Sequence, residues 1–179
     1  MRIALAATVA VLALVAGCGG SDEGNATEQW ASGVCSALQT WSESVQGAAT
    51  SLQDTSSISP DTISTALNSV IDATSTLATD VKTLGRPDTE SGQQAQETLT
   101  QLATTLEGDA AELQKLLDTS GGAGLGGVLD QLGTVTKTLG SMASAVGQTF
   151  DDLQQLDVKG DLQDAFESAG SCSSLVGSS

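Results

Sequence analysis

The sequence predicts an all-α fold: an antiparallel (up-down-up-down) four-helix bundle with a short fifth C-terminal helix. Three observations carry this. Apolar residues recur at alternating intervals of three and four along most of the 179 residues, with no strand-like alternation. Short Gly, Pro or polar tracts divide the pattern into four stretches of similar length. A sustained repeat of this kind packs helices at shallow angles, and short connections make neighbours antiparallel. A dimeric or extended coiled coil is the alternative. No recurring long motif points to a helical repeat array.

The first segment spans about residues 27–54, with Val34, Leu38, Trp41, Val45, Ala48 and Leu52 on its stripe and Trp30 one turn earlier. The second opens at Ser59-Pro60-Asp61, where Ser59 suits an N-cap, Pro60 the first helical position and Asp61 the dipole. Its stripe is Ile63, Leu67, Val70, Leu77, Val81 and Leu84, with Thr74 in one core slot, and Gly85-Arg86-Pro87 stops it. The third starts after Asp88 or Thr89 and carries Ala95, Leu99, Leu102, Leu106, Ala110, Leu113 and Leu117. The tract from Gly121 to Gly127 reads as a loop, because no Lys follows it to suit a phosphate cradle. The fourth carries Val128, Leu132, Val135, Leu139, Met142, Val146, Phe150, Leu153 and Leu156. A shorter amphipathic piece over about 161–176 presents Leu162, Ala165, Phe166, Ala169 and Cys172.

The first residues carry a different message. Arg2 precedes an uncharged apolar run, Ile3 to Ala16, too short for a stable membrane span. Val15-Ala16-Gly17-Cys18 then resembles a bacterial lipobox, and a polar Gly/Ser/Asp/Glu tract follows. The resemblance is to exported bacterial lipoproteins. It implies cleavage after Gly17 and a diacylglycerol, with palmitate-type acyl chains, on the Cys18 thiol. Two chains anchor stably where one binds only marginally. The implied location is the extracytoplasmic face of the cell membrane. The expected layout is a signal peptide over 1–17, lipidated Cys18 and a flexible tether over 18–26, the helical domain over 27–176, and a disordered tail over 177–179.

Composition narrows the function. Six basic residues against 22 acidic give a net charge of −16. Loss of Arg2 with the signal peptide makes the mature chain more acidic still. Lys82, Arg86, Lys115, Lys137 and Lys159 are scattered, so no basic patch exists for nucleic acid. Histidine and tyrosine are absent, which removes Ser-His-Asp, Cys-His and His-metal arrangements. Carboxylate pairs could still hydrolyse glycosides. Two Trp and two Phe are too few for the aromatic platforms such sites carry, so no enzyme is expected. The Ala, Gly, Thr, Asp and Val bias resembles proteins of GC-rich actinobacteria.

Cys35 and Cys172 remain once Cys18 is assigned to lipid. An oxidising exported setting favours a disulfide between them, with two buried free thiols as the alternative. Closing so long a loop has an entropic ceiling of about 5 kcal/mol. Cys35 sits about 100° round the helix from Val34, on the flank of the stripe, where a segment folding back could reach it. The pattern Trp30-x3-Val34-Cys35-x-Ala37-x3-Trp41 resembles the opening of a group of actinobacterial secreted proteins and lipoproteins, many with a second Cys near the C-terminus. It implies an all-helical extracytoplasmic domain and brings no catalytic residues.

Other features have two readings each. Trp30 and Trp41, three turns apart, suit core plugs better than ligand-stacking platforms, since both lie on the Val34/Leu38 stripe. Gly126, Gly133, Gly140 and Gly147 recur every seven residues; they mark either close approach of a neighbouring helix or compositional drift. Charged Asp130, Lys137, Asp151 and Asp152 exclude a membrane glycine zipper. Asp151, Asp152, Asp157, Asp161 and Asp164 lack calcium-loop spacing and read as a solvated face or helix caps. No cofactor or metal site is expected. The function expected is a non-enzymatic, membrane-anchored helical interaction or structural module of the envelope, monomeric, contacting an envelope protein or glycan. The alternative is a carrier with a lipid or other apolar ligand inside the bundle. A module packs solid; a carrier needs an apolar cavity.

Overall fold

The structure, a computed structural model, describes residues 22–53, 58–120, 125–156 and 160–173. Among these the chain is all-helical: α1 Asp22–Gln53, α2 Pro60–Leu84, α3 Gly92–Ser120, α4 Leu125–Gln155 and α5 Asp161–Ser168, then a single 3-10 turn at Gly170–Cys172. No strand occurs among the described residues. The helices form a bundle in which α1 packs on α2, α2 on α3, α3 on α4 and α5 on α1. The α1–α4 contact is sparse.

Local chemistry explains most boundaries. At the start of α2 the Thr62 amide donates to Ser59 Oγ at 3.1 Å, with Pro60 in the first helical position. Gly85 ends the helix with φ of 65°, a conformation that costs a side chain but not glycine. The Gly92 amide donates to the Thr89 carbonyl at 3.0 Å, so a turn delays α3 beyond the expected start. Gly92 is required there, because a Cβ would collide with the Pro87 carbonyl oxygen.

Three boundaries depart from the sequence reading. α1 begins at Asp22, inside the stretch expected to be tether. A helix already held by its packed stripe gains one hydrogen bond for each residue it adds, so it runs on until something stops it. α4 begins at Leu125, so Gly126 and Gly127 are helical rather than loop. Glycine weakens a helix by about 1 kcal/mol without ending it. The C-terminal piece is not one helix over 161–176. Ala169 turns extended (φ −73°, ψ 106°), and the chain re-enters as the 3-10 turn.

The core is one contiguous cluster drawn from all five helices. The expected stripe of α1 is buried throughout, from Trp30 to Leu52. So are Ile63, Leu67, Val70, Leu77 and Val81 of α2, Ala95 to Leu113 of α3, Val135 to Leu153 of α4, and Leu162, Ala165 and Phe166 of α5. Leu84, Leu117, Leu132 and Leu156 are half-buried at the margins. Val128 lies outside the described side chains. No described helix is long and apolar enough to cross a membrane.

Candidate functional site

Cys18, the proposed lipid attachment point, and residues 1–17 lie outside the described residues, as do Asp157 and the tail over 177–179. The other two cysteines come together. Cys35 on α1 and Cys172 on the 3-10 turn meet at disulfide distance, with Cα atoms 5.0 Å apart and both side chains buried. The break at Ala169 is what brings the turn onto the flank of α1. Around the pair, Ser171 Oγ donates to the Ser32 carbonyl at 3.2 Å. Phe166 of α5 sits edge-on to both Trp30 and Phe150, each with ring centroids 5.9 Å apart. The Trp30 indole N–H donates to the Gly85 carbonyl at 3.1 Å. These contacts join the C-terminal piece to α1, and a hollow of about 390 Å³ opens beside them, lined by Gln154, Phe166, Glu167, Ala169 and Cys172 among others.

Both tryptophans are core residues. Trp30 is 6% exposed and Trp41 1%, too little to stack a ligand. The Trp41 N–H donates to Thr74 Oγ1 at 3.0 Å, and Thr74 Oγ1 donates in turn to the Val70 carbonyl at 2.8 Å. Thr74 therefore fills its core slot with every proton used.

The glycine repeat does not mark a close helix approach. A Cβ on Gly133, Gly140 or Gly147 would meet nothing within 4 Å, and all three are exposed. The C-terminal piece packs on α1 instead, drawn there by the Cys35–Cys172 contact. Asp151, Asp152, Asp161 and Asp164 are exposed, and Asp161 and Asp164 lie in the first turn of α5, where they favour the dipole. Among the described residues no group of three or more acidic or cysteine side chains is placed to hold a metal ion. Burial, then the neighbouring Glu112 charge, pushes the Asp109 carboxyl above its ordinary range.

The concave features are open grooves between helices. Two adjoin along the outer seam of α1 and α2, about 610 and 520 Å³, sharing Ser44, Thr65 and Ser69. Their lining is hydroxyls, small side chains and the carboxylates Asp61, Asp72 and Asp80, with no basic residue. Thr40, Ser44, Ser51 and Thr76 each donate to the carbonyl four residues back, at 2.9, 3.1, 2.9 and 3.0 Å. Their protons are thus consumed, and what they present outward is lone pairs. Asn68 spends an amide proton on Ser64 Oγ at 3.3 Å. These hydroxyls and the three carboxylates present acceptors to the seam. A third groove of about 310 Å³ lies between α1 and α4, lined by Val45, Ala49, Leu52, Leu139, Gly140 and Ala143 among others, without a charged group.

Sequence reasoning missed these grooves. The available signal was the Ser, Thr, Ala and Gly spaced three and four apart beside the core stripes of α1 and α2, which reads as ordinary polar surface until both helices are placed. No family model matches the chain, and neither a curated protein nor a solved structure does.

Proposed function

We propose that this protein is a non-enzymatic interaction module of the bacterial envelope, anchored through a diacylglycerol on Cys18 and presenting its helical surface outward. The bundle is taken to run up and down. Four contacts support that course: Trp30 with Gly85, Trp41 with Thr74, Lys82 with Glu107 at 3.6 Å, and Ser91 with the Leu156 carbonyl at 3.4 Å. The 32 residues of α1 then give a rod roughly 48 Å long. Its acidic surface is repelled by anionic head groups, so the rod stands off the leaflet rather than lying on it. In this reading the Cys35–Cys172 pair is oxidised and clamps the anchored end.

The observation that carries the module over the carrier is the filled core. Buried side chains from all five helices form one cluster, and the concave features described above open to solvent rather than into the bundle. An apolar carrier encloses most of its ligand's surface. The α1–α4 groove favours the carrier as the second reading, because its lining is apolar and its seam thinly packed.

Native mass spectrometry of the full lipoprotein, extracted from membranes, decides between them. The module should carry only its covalent anchor. A stoichiometric, non-covalent lipid would transfer the function to the carrier. Metabolic labelling with an alkyne fatty acid tests the anchor: label should be lost in Cys18→Ser, and equal label in that variant would remove the lipoprotein reading.

A further inference from the structure

We propose that the α1–α2 groove is a docking site for a helix bearing lysine or arginine along one face. The proposal rests on the interaction-module reading only in taking the occupant to be protein.

Three features of the groove lead to this partner. The first is shape. The two adjoining hollows run from Ser51 and Asp61 to Ala37 and Asp80, about 28 Å along α2. The lining includes the small Gly47, Ala48, Ala66 and Ala73 beside the buried Trp41 and Leu77, and leaves room for a third helix to lie along the two. The second is hydrogen-bonding character. Thr40, Ser44, Ser51 and Thr76 turn their protons back onto the helices' own carbonyls, so these four offer lone pairs beside the carboxylates. An occupant rich in donors suits these acceptors. A neutral glycan hydroxyl supplies one donor for each acceptor it adds; an ammonium or guanidinium supplies only donors.

The third is charge placement. Asp61, Asp72 and Asp80 line the α2 side of the seam: Asp61 and Asp72 are about three turns apart, roughly 16 Å, and Asp80 lies roughly 12 Å further on and about 80° round the helix. None has a cationic partner among the described residues, whose ion pair is Lys82–Glu107 on the other side of α2. A helix lying along the seam can match the Asp61–Asp72 interval with cations on a single face. A compact cation would meet one aspartate at a time; a helix running the length of the seam can meet more than one.

The experiment uses the full chain in nanodiscs of phosphatidylcholine, so that the lipid itself does not bind the probe. The probe is an alanine-based helical peptide with lysines spaced to face the three aspartates. A second peptide has the same composition with its lysines spread around the helix. Fluorescence anisotropy should show saturable one-to-one binding of the matched peptide, at least tenfold tighter than the spread one. Asp72→Asn with Asp80→Asn should weaken it at least fivefold. Glu112→Gln with Asp118→Asn removes equal charge from α3 and should change it less than twofold. Ser69→Trp, which fills the groove without changing charge, should block binding, with helicity by circular dichroism confirming that each variant folds. Equal affinity of the two peptides, equal loss in the two charge pairs, or no saturable binding overturns the proposal. The last outcome together with a lipid-free mass spectrum would reject the groove while leaving the module reading standing.

Discussion

The indole N–H of Trp41 and the hydroxyl of Thr74 meet 3.0 Å apart inside the bundle, and the hydroxyl passes its own proton to the Val70 carbonyl. One polar atom in the core thus satisfies the ring of α1 and anchors itself to α2. Thr74→Val keeps the shape and strands the Trp41 donor, which should cost about 1–3 kcal/mol. Urea unfolding would show a lower midpoint with an unchanged slope. Adding Trp41→Phe removes the stranded donor, so the double variant should lose less than the sum of the singles.

Cys35 and Cys172 lie at disulfide distance, 137 positions apart in sequence. Oxidation closes nearly the whole domain into one loop. Reduction should lower the melting temperature by more than 5 °C if about 2 kcal/mol is lost in a domain of this size. α5 has only eight residues, so its amides should exchange with solvent first. Intact mass after alkylation, with and without reductant, checks the bond. Two free thiols in protein taken from the envelope would reject the clamp.

Gly133, Gly140 and Gly147 sit in a helix with open space where a Cβ would go. Alanine at each should stabilise by up to about 1 kcal/mol, because the unfolded chain loses freedom and no atom is displaced. Gly92→Ala should do the opposite, since the new Cβ collides with the Pro87 carbonyl oxygen. Thermal denaturation of the four single variants tests this contrast in sign.

Burial, then the Glu112 charge, holds the Asp109 carboxyl above the ordinary carboxylate range. For an acid raised in the folded state, folding takes up a proton. Its favourable contribution is full below the unfolded value and fades as pH rises through the folded one. At neutral pH the ionised carboxylate opposes the fold slightly. Asp109→Asn should therefore raise the melting temperature at pH 7 and give no gain at pH 3. A larger gain at pH 3 than at pH 7 would contradict the direction.

The helices and their buried faces were legible in the sequence because burial has the period of the helix. Val34, Leu38 and Trp41 point inward together whatever the rest of the chain does. The start of α2 was legible because Ser59 and Pro60 act on their own few neighbours. Other boundaries depend on energies that no short motif carries. Nothing near Asp22 stops α1, so it extends; nothing in Gly126-Gly127 supplies a cap, so α4 absorbs them. The exposure of Gly140 and its neighbours was hidden for a different reason. A helix flank is covered or bare according to where the next helix lies, and that is decided by Cys172 and Phe166, far away in sequence. The α1–α2 groove was hidden in the same way, since Ser44 and Ser69 make a hollow only when both helices stand side by side.

The meeting of Cys35 with Cys172 also has a mechanical side. A bond there would join the two ends of the domain near their exits, one on the early turns of α1 and the other just past α5. Tension applied between the proposed anchor at Cys18 and the C-terminal side of Cys172 would then pass through residues 22–35 and the bond itself, bypassing α2, α3 and α4. The bundle would be a loop hung from a covalent bypass, and a pull on the chain ends would reach the sulfurs before it could draw the middle helices apart.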